Sequence, residues 1–162
     1  MGELLKVLHF VHSLDQKTGG VCSAVELLNT SLREAGVASR VSDDPKEIAS
    51  SKDEWIIAHG LWQWPGRRAQ ALGNRYLVYP HGMLDPWFKK TFLLKHLKKQ
   101  FYWWLKQGSI LRDADAVCFT TEEERLLAQK TFFPYRAKEV VTGLGVTEPP
   151  EQTVVDLSLI HI

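Results

Sequence analysis

Four short apolar runs in this chain each end in residues suited to ligand chemistry. Leu77-Val78-Tyr79 stops at Pro80 and is followed by His81-Gly82. Trp55-Ile56-Ile57-Ala58 is followed directly by His59-Gly60. The run from Leu4 to Val11 leads within a few residues to Gly19-Gly20, and Ala116-Val117-Cys118-Phe119 leads to Thr120-Thr121-Glu122. Imidazole forms hydrogen bonds and titrates near neutral pH. Glycine beside it lets backbone approach a ligand closely and adopts positive φ without strain. One His-Gly pair alone reads as a plain turn. Four run ends carrying histidine, glycine, hydroxyl or acidic residues point instead to one site, drawing on His81, Gly82, His59, Gly60, Gly19, Gly20, Thr121 and Glu122.

The elements that must position these residues alternate along the chain. Strand one covers about Leu5 to Val11, and a polar loop runs from Ser13 to Gly20. A helix from about Val21 to Ala35 carries Val25, Leu28 and Leu32 at helical spacing, with Gly36 as its stop. Val37 to Val41 is a second strand, and the polar stretch from Ser42 to Asp53 has room for a brief helix. Trp55 to Ala58 is strand three, Pro65 to Leu72 a short helix, and Leu77 to Tyr79 strand four. The longest helix runs from about Pro86 or Lys89 to Gln107, with Gly108 as its stop, and a short helix or turn carries Ile110 to Asp113. Ala116 to Phe119 is strand five and Glu139 to Thr142 strand six, followed by Gly143-Leu144-Gly145. Thr121 and Glu124 have capping-box spacing, which accounts for the start of the intervening helix without a ligand. Strands alternating with helices imply an α/β fold: a doubly wound, mostly parallel sheet with helices on both faces. Such sheets bind ligands outside the carboxyl ends of their strands. The domain is expected to cover residues 1–147, with 148–162 as a linker or truncated tail.

Composition narrows the function classes. The 162 residues suit one domain, with 44% hydrophobic and 24% charged residues. A net charge of +1 gives no field that would attract nucleic acid. Cys22 and Cys118 are too few for a disulfide framework, so a reducing cytoplasm is expected. The first residues lack a signal-peptide pattern, and no apolar stretch reaches the length of a membrane span. The dinucleotide fingerprint, the P-loop and the G-x-S-x-G elbow are all absent, as is zinc-ligand spacing. Thr18-Gly19-Gly20-Val21 before the first helix either offers amides to a phosphate or simply reverses the chain. His9 and His12 fall in or just after strand one, where packing is the expected role. Trp62, Trp64 and Trp87 lie near strand ends, where they either pack in the core, stack on a sugar or line a lipid-facing cleft.

The long helix holds six lysines between Lys89 and Lys106 and no acid. At about 100° per residue, Leu93, Leu94, Leu97, Phe101, Trp104 and Leu105 share one face, expected to pack on the core. Lys95, Lys99 and Lys106 lie opposite with Trp103 among them. That basic, aromatic face suits an anionic membrane surface.

Taken together, the motifs resemble a known family. Lys6-Val7-Leu8-His9-Phe10-Val11 followed by Gly19-Gly20 resembles the opening of the retaining family 4 GT-B glycosyltransferases. Tyr79-Pro80-His81-Gly82-Met83-Leu84-Asp85-Pro86-Trp87 is similar to the segment many of them carry after strand four, although some have Arg where this chain has His81. Trp103-Trp104, Ala114-Asp115-Ala116-Val117 and Thr120-Thr121-Glu122-Glu123-Glu124 continue the likeness. The resemblance runs from about Leu5 to Val146 and implies one Rossmann-like half of a two-domain enzyme, the acceptor-binding N-terminal domain. It implies a nucleotide-sugar donor, a glycan or lipid-linked acceptor, no metal or other cofactor, and retention of anomeric configuration. His81 would sit at the reacting centre, and Gly19 and Gly20 would bring backbone close to donor phosphates or acceptor. A C-terminal donor domain would be needed for activity, and the chain alone is expected to be inactive. The expected location is cytoplasmic, peripheral at the inner face of the plasma membrane. The competing class is a flavodoxin-like domain that binds a ligand or partner without chemistry.

Overall fold

In the computed structural model, which describes residues 5–15 and 20–143, six strands form one all-parallel sheet. They are β1 (Lys6–Phe10), β2 (Ala38–Ser42), β3 (Trp55–His59), β4 (Tyr76–Tyr79), β5 (Ala116–Phe119) and β6 (Glu139–Val141), in the order β2-β1-β3-β4-β5-β6. The helices are α1 (Val21–Glu34), α2 (Glu47–Ser50), α3 (Trp64–Leu72), α4 (Trp87–Thr91), α5 (Leu93–Tyr102), α6 (Gly108–Asp113) and α7 (Glu122–Ala128). Parallel strands covered on both faces need near-continuous apolar runs, and β1 and β3 are buried beyond their first residue. The expected tail from residue 148 and Gly145 lie outside the described residues.

Side chains alternate between the two faces of the sheet. Leu8, Phe10, Ile56, Val78, Val117 and Phe119 pack with Ile48 of α2, Ala69 of α3, Ile110 and Leu111 of α6 and Ala128 of α7. On the other face, Val7, Ile57, Tyr79 and Cys118 meet Leu28 and Leu32 of α1. Among the described residues helices therefore lie on both faces, but unevenly, with α1 alone on one. It ends where its sequence says it must: Gly36 takes φ +82°, and Val37 N–H closes on Leu32 O at 2.9 Å. That is the left-handed glycine termination expected of a Schellman motif.

The segment after β4 differs from the single long helix its sequence suggests. It breaks at Phe92, where φ −134° and ψ 68° leave the helical region. It then continues through Gly108 rather than stopping there: a π-helical turn at Trp103–Gln107 joins α5 to α6. Glycine serves packing at this point, since a Cβ on Gly108 would lie 3.0 Å from both Trp103 Nε1 and Trp103 O. The facing of α5 is also the reverse of expectation. His96, Trp103 and Gln107 turn inward, while Leu94 is 83% exposed and Leu93, Leu97, Phe101, Trp104 and Leu105 are each more than half exposed. Trp103, expected on the outer basic face, is buried and donates its indole N–H to Pro134 O at 2.8 Å. Periodicity shows which residues share a face but not what that face meets, and here the core is filled by Trp103, Ile110 and Leu111 instead. Among the described residues, no helix is long and apolar enough to cross a membrane.

Candidate functional site

The chain leaves β1 for β2 on one side and returns to β3 on the other, so the winding reverses between β1 and β3. A crevice at the carboxyl ends of the strands opens at such a reversal. His9 of β1 and His59 of β3 flank it, and His81 follows β4 next door. The register places His9 opposite Ile57, two residues before His59, so both imidazoles emerge on the same face.

These three rings are strung together. His9 Nδ1 lies 2.9 Å from His59 Nε2, and His59 Nδ1 lies 2.9 Å from His81 Nε2. His9 Nε2 continues to Ser39 Oγ of the edge strand β2 at 3.1 Å, and the Ser39 hydroxyl donates to Asn29 Oδ1 of α1 at 2.8 Å. Tyr79 stacks on both His59 and His81, with ring centres 5.5 and 5.8 Å away, and its hydroxyl meets Thr142 Oγ1 at 3.0 Å. Burial pushes His9 from its usual 6.5 down to about 4. His59 is held well below its usual value by burial, and then by the neighbouring imidazoles. His81 is lowered by burial, with Glu124 pulling the other way. All three rings are neutral at pH 7.

Backbone geometry fixes the outer end of the row. His81 has φ +50° and Gly82 φ +73°, and Met83 N–H closes the turn on Pro80 O at 3.1 Å. Left-handed backbone costs a non-glycine residue about 1–2 kcal/mol. The bond to His59 and the clamp of Glu124 oppose that cost. Glu124 Oε1 accepts from Gly82 N–H at 2.7 Å, while Oε2 accepts from Thr120 N–H at 2.9 Å and the Thr120 hydroxyl at 2.8 Å. One carboxylate thus ties the loop after β4 to the end of β5. Gly60, at φ +80°, leaves room for Met83, whose Cε would be 3.2 Å from an added Cβ.

Two clefts border this row. The smaller, about 80 Å³, is lined by Val11, His12, Ser13, Val21, Cys22, His59, Gly60, Gln63 and Met83. The larger, about 300 Å³, is lined by Gly82, Asp85, Thr121, Glu123, Glu124 and Leu127. Of the residues singled out in the sequence, His59, Gly60, His81 and Gly82 come together here, and Gly20 opens α1 beside Val21 in the smaller cleft. Gly19 lies outside the described residues. Thr121 lines the larger cleft and caps α7, its hydroxyl accepting from Glu124 N–H at 3.1 Å. Glu122 is paired with Arg125. Trp62 and Trp64 pack with the core, while Trp87 is exposed. His12 is exposed on the cleft wall rather than packed.

Sequence reasoning missed His9 as part of the row, and Asn29, Ser39 and Glu124 as its anchors. The capping-box spacing had flagged Glu124, but only for α7. Among the described residues no group of three or more His, Cys, Asp and Glu is arranged to hold a metal ion; the three histidines stand in a line with nitrogens turned to one another.

Residues 50–145, more than half of the chain, match the family described as glycosyl transferase 4-like domain. The matched span contains His59, His81 and Glu124 and excludes His9, Asn29 and Ser39. No curated protein matches the chain.

Proposed function

The chain belongs to the glycosyl transferase 4-like domain family, as the N-terminal, Rossmann-like half of a GT-B glycosyltransferase, and from that premise we propose how it works. It binds the acceptor, a glycan or lipid-linked sugar, in the crevice at the carboxyl ends of β1, β3 and β4. A nucleotide sugar approaches from a second, donor-binding domain. His81 stands at the reacting centre and holds a sugar or acceptor hydroxyl, and the transfer retains anomeric configuration without a metal. The observation that carries this reading is the fixed position of His81. It stands half-buried on strained backbone after β4, its ring bonded by His59 and the next amide, Gly82 N–H, held by Glu124. Pre-set hydrogen-bonding groups of this kind contribute to rate without reorganising during the reaction.

The test has two arms. In a two-domain enzyme carrying this domain, His81→Ala is expected to lower kcat/KM by about 10²-fold with an unchanged unfolding curve. Full activity in that variant would remove His81 from the reaction. The chain alone, incubated with a panel of nucleotide sugars and acceptors, is expected to give no turnover. Robust transfer by the isolated chain would overturn the acceptor-side assignment.

The outer face of α5 supports a peripheral site at the cytoplasmic leaflet. Its exposed leucines and aromatics are joined by exposed Phe133, and the surrounding charges are Lys89, Lys95, Lys98 and Lys106. An apolar face rimmed by lysines suits the surface of an anionic bilayer. Lys99 is the exception: it is half-buried, with its ammonium 4.9 Å above the Trp62 ring.

A further inference from the structure

Neutral imidazoles bonded in a row face a constraint of protons. Each ring carries one N–H, and each bond between rings uses one. The far end of this row, at Ser39 of β2 and Asn29 of α1, fixes the direction. Asn29 Oδ1 has no proton to give, so the Ser39 hydroxyl donates to it at 2.8 Å. With its only proton spent, Ser39 Oγ accepts from His9 Nε2–H at 3.1 Å. His9 Nδ1 is then bare and accepts from His59 Nε2–H at 2.9 Å, and bare His59 Nδ1 accepts from His81 Nε2–H at 2.9 Å.

We propose that Asn29, Ser39, His9 and His59 are positioning residues that form a one-way chain, holding His81 as its Nε2–H tautomer with Nδ1 offered as a hydrogen-bond acceptor. Resting on the transferase reading above, the chain then sets which chemical group His81 can meet. A sugar or acceptor hydroxyl donates to a bare Nδ1. A diphosphate oxygen has no proton to donate and finds no partner there.

The chain orients but does not carry charge. Passing a proton inward would place an imidazolium on His59 or His9, both almost wholly shielded from solvent. Among the described residues no acidic group eases the charged form at either ring. Tyr79, stacked on the row, and Cys118 beside it are both pushed upward by burial and stay neutral. Among the described residues Glu124 is the one acid acting on the row, and it acts at the His81 end.

Imidazole ¹⁵N NMR of the 162-residue chain at pH 7.5 reads each tautomer directly, whether or not any sugar is transferred. Failure here is therefore distinct from failure of the transferase reading. The expected result is a single Nε2–H form at His9, His59 and His81. Asn29→Leu removes the terminal acceptor and frees Ser39 to donate toward His9. His81, three hydrogen bonds beyond Ser39, is then expected to lose its single form and show both tautomers. Asn29→Asp keeps an acceptor oxygen and is expected to restore Nε2–H at His81. Finding His81 as Nδ1–H in the unmodified chain overturns the proposal, as does an unchanged single form in folded Asn29→Leu. If a variant does not fold, the tautomers of the unmodified chain decide the matter alone.

Discussion

Glu124 uses both oxygens of one carboxylate, and that makes it sensitive to a change as small as an amide. Oε1 serves Gly82 N–H, while Oε2 serves the Thr120 amide and hydroxyl. In Glu124→Gln one of these oxygens becomes an NH₂ facing an N–H donor. Leaving a partly buried donor unpaired costs about 1–3 kcal/mol. Urea denaturation is expected to show a loss of that size, whereas Glu123→Gln, one residue earlier, should change little. An equal and negligible effect in both would show that the clamp contributes nothing. The sequence displayed His59 and His81 because each follows an apolar run that ends a strand. His9 was hidden, because it occupies an ordinary inward slot of β1. Its partner lies 50 residues away, and only the β1–β3 register brings the two rings together.

At the scale of elements, the instructive case is α5, whose amphipathicity was legible and whose facing was not. A helical moment says that the apolar residues share a side; it does not say whether that side meets the core or something outside. Here the core is filled by Trp103, Ile110 and Leu111 from the π-turn and α6, so the leucine stripe of α5 is left outward. An apolar stripe this large is uncommon on a monomer that docks on nothing. Two forces are then expected to hold the helix to a bilayer, and two variants separate them. In vesicle sedimentation, Leu94→Ser/Phe101→Ser should weaken binding at low and high salt alike. Lys95→Glu/Lys98→Glu should weaken it mainly at low salt and on anionic vesicles, where each nearby lysine adds about 1 kcal/mol. Neither pair touches the buried side of α5, so unfolding curves should be preserved. If the unmodified chain stays in the supernatant with anionic vesicles at low salt, the membrane assignment fails.

For the molecule as a whole, the alternation of strand and helix was readable because each buried strand is a short apolar run bounded by turn residues. The sheet order follows from βαβ winding, and the crevice follows from its one reversal. The sequence could not show that the interior carries titratable groups, and their burial makes stability depend on pH. His9 titrates near 6.5 in the unfolded chain and about 4 in the fold. His59 and His81 are lowered in the same direction, as is His96, by burial first and then by Lys89 and Lys99. Above pH 6.5 neither state binds these protons, and stability is at its full value. Below it the unfolded chain takes them up and the native chain does not, so stability falls as pH drops toward 4. For His9 the loss is about 1.4 kcal/mol per pH unit between those two values. Between pH 7.5 and 5, His9 alone accounts for about 2 kcal/mol, with the other three rings adding to it. That window lies above most carboxylate titrations, so the effect belongs to imidazoles. Urea unfolding followed by tryptophan fluorescence across this range should therefore show a steep acid loss. His9→Gln, which keeps a polar side chain in the row but cannot titrate, should flatten the slope by close to one proton. A stability constant from pH 7.5 to 5 would mean that the buried row is protonated in the fold, and with it the neutral chain that positions His81 would be lost.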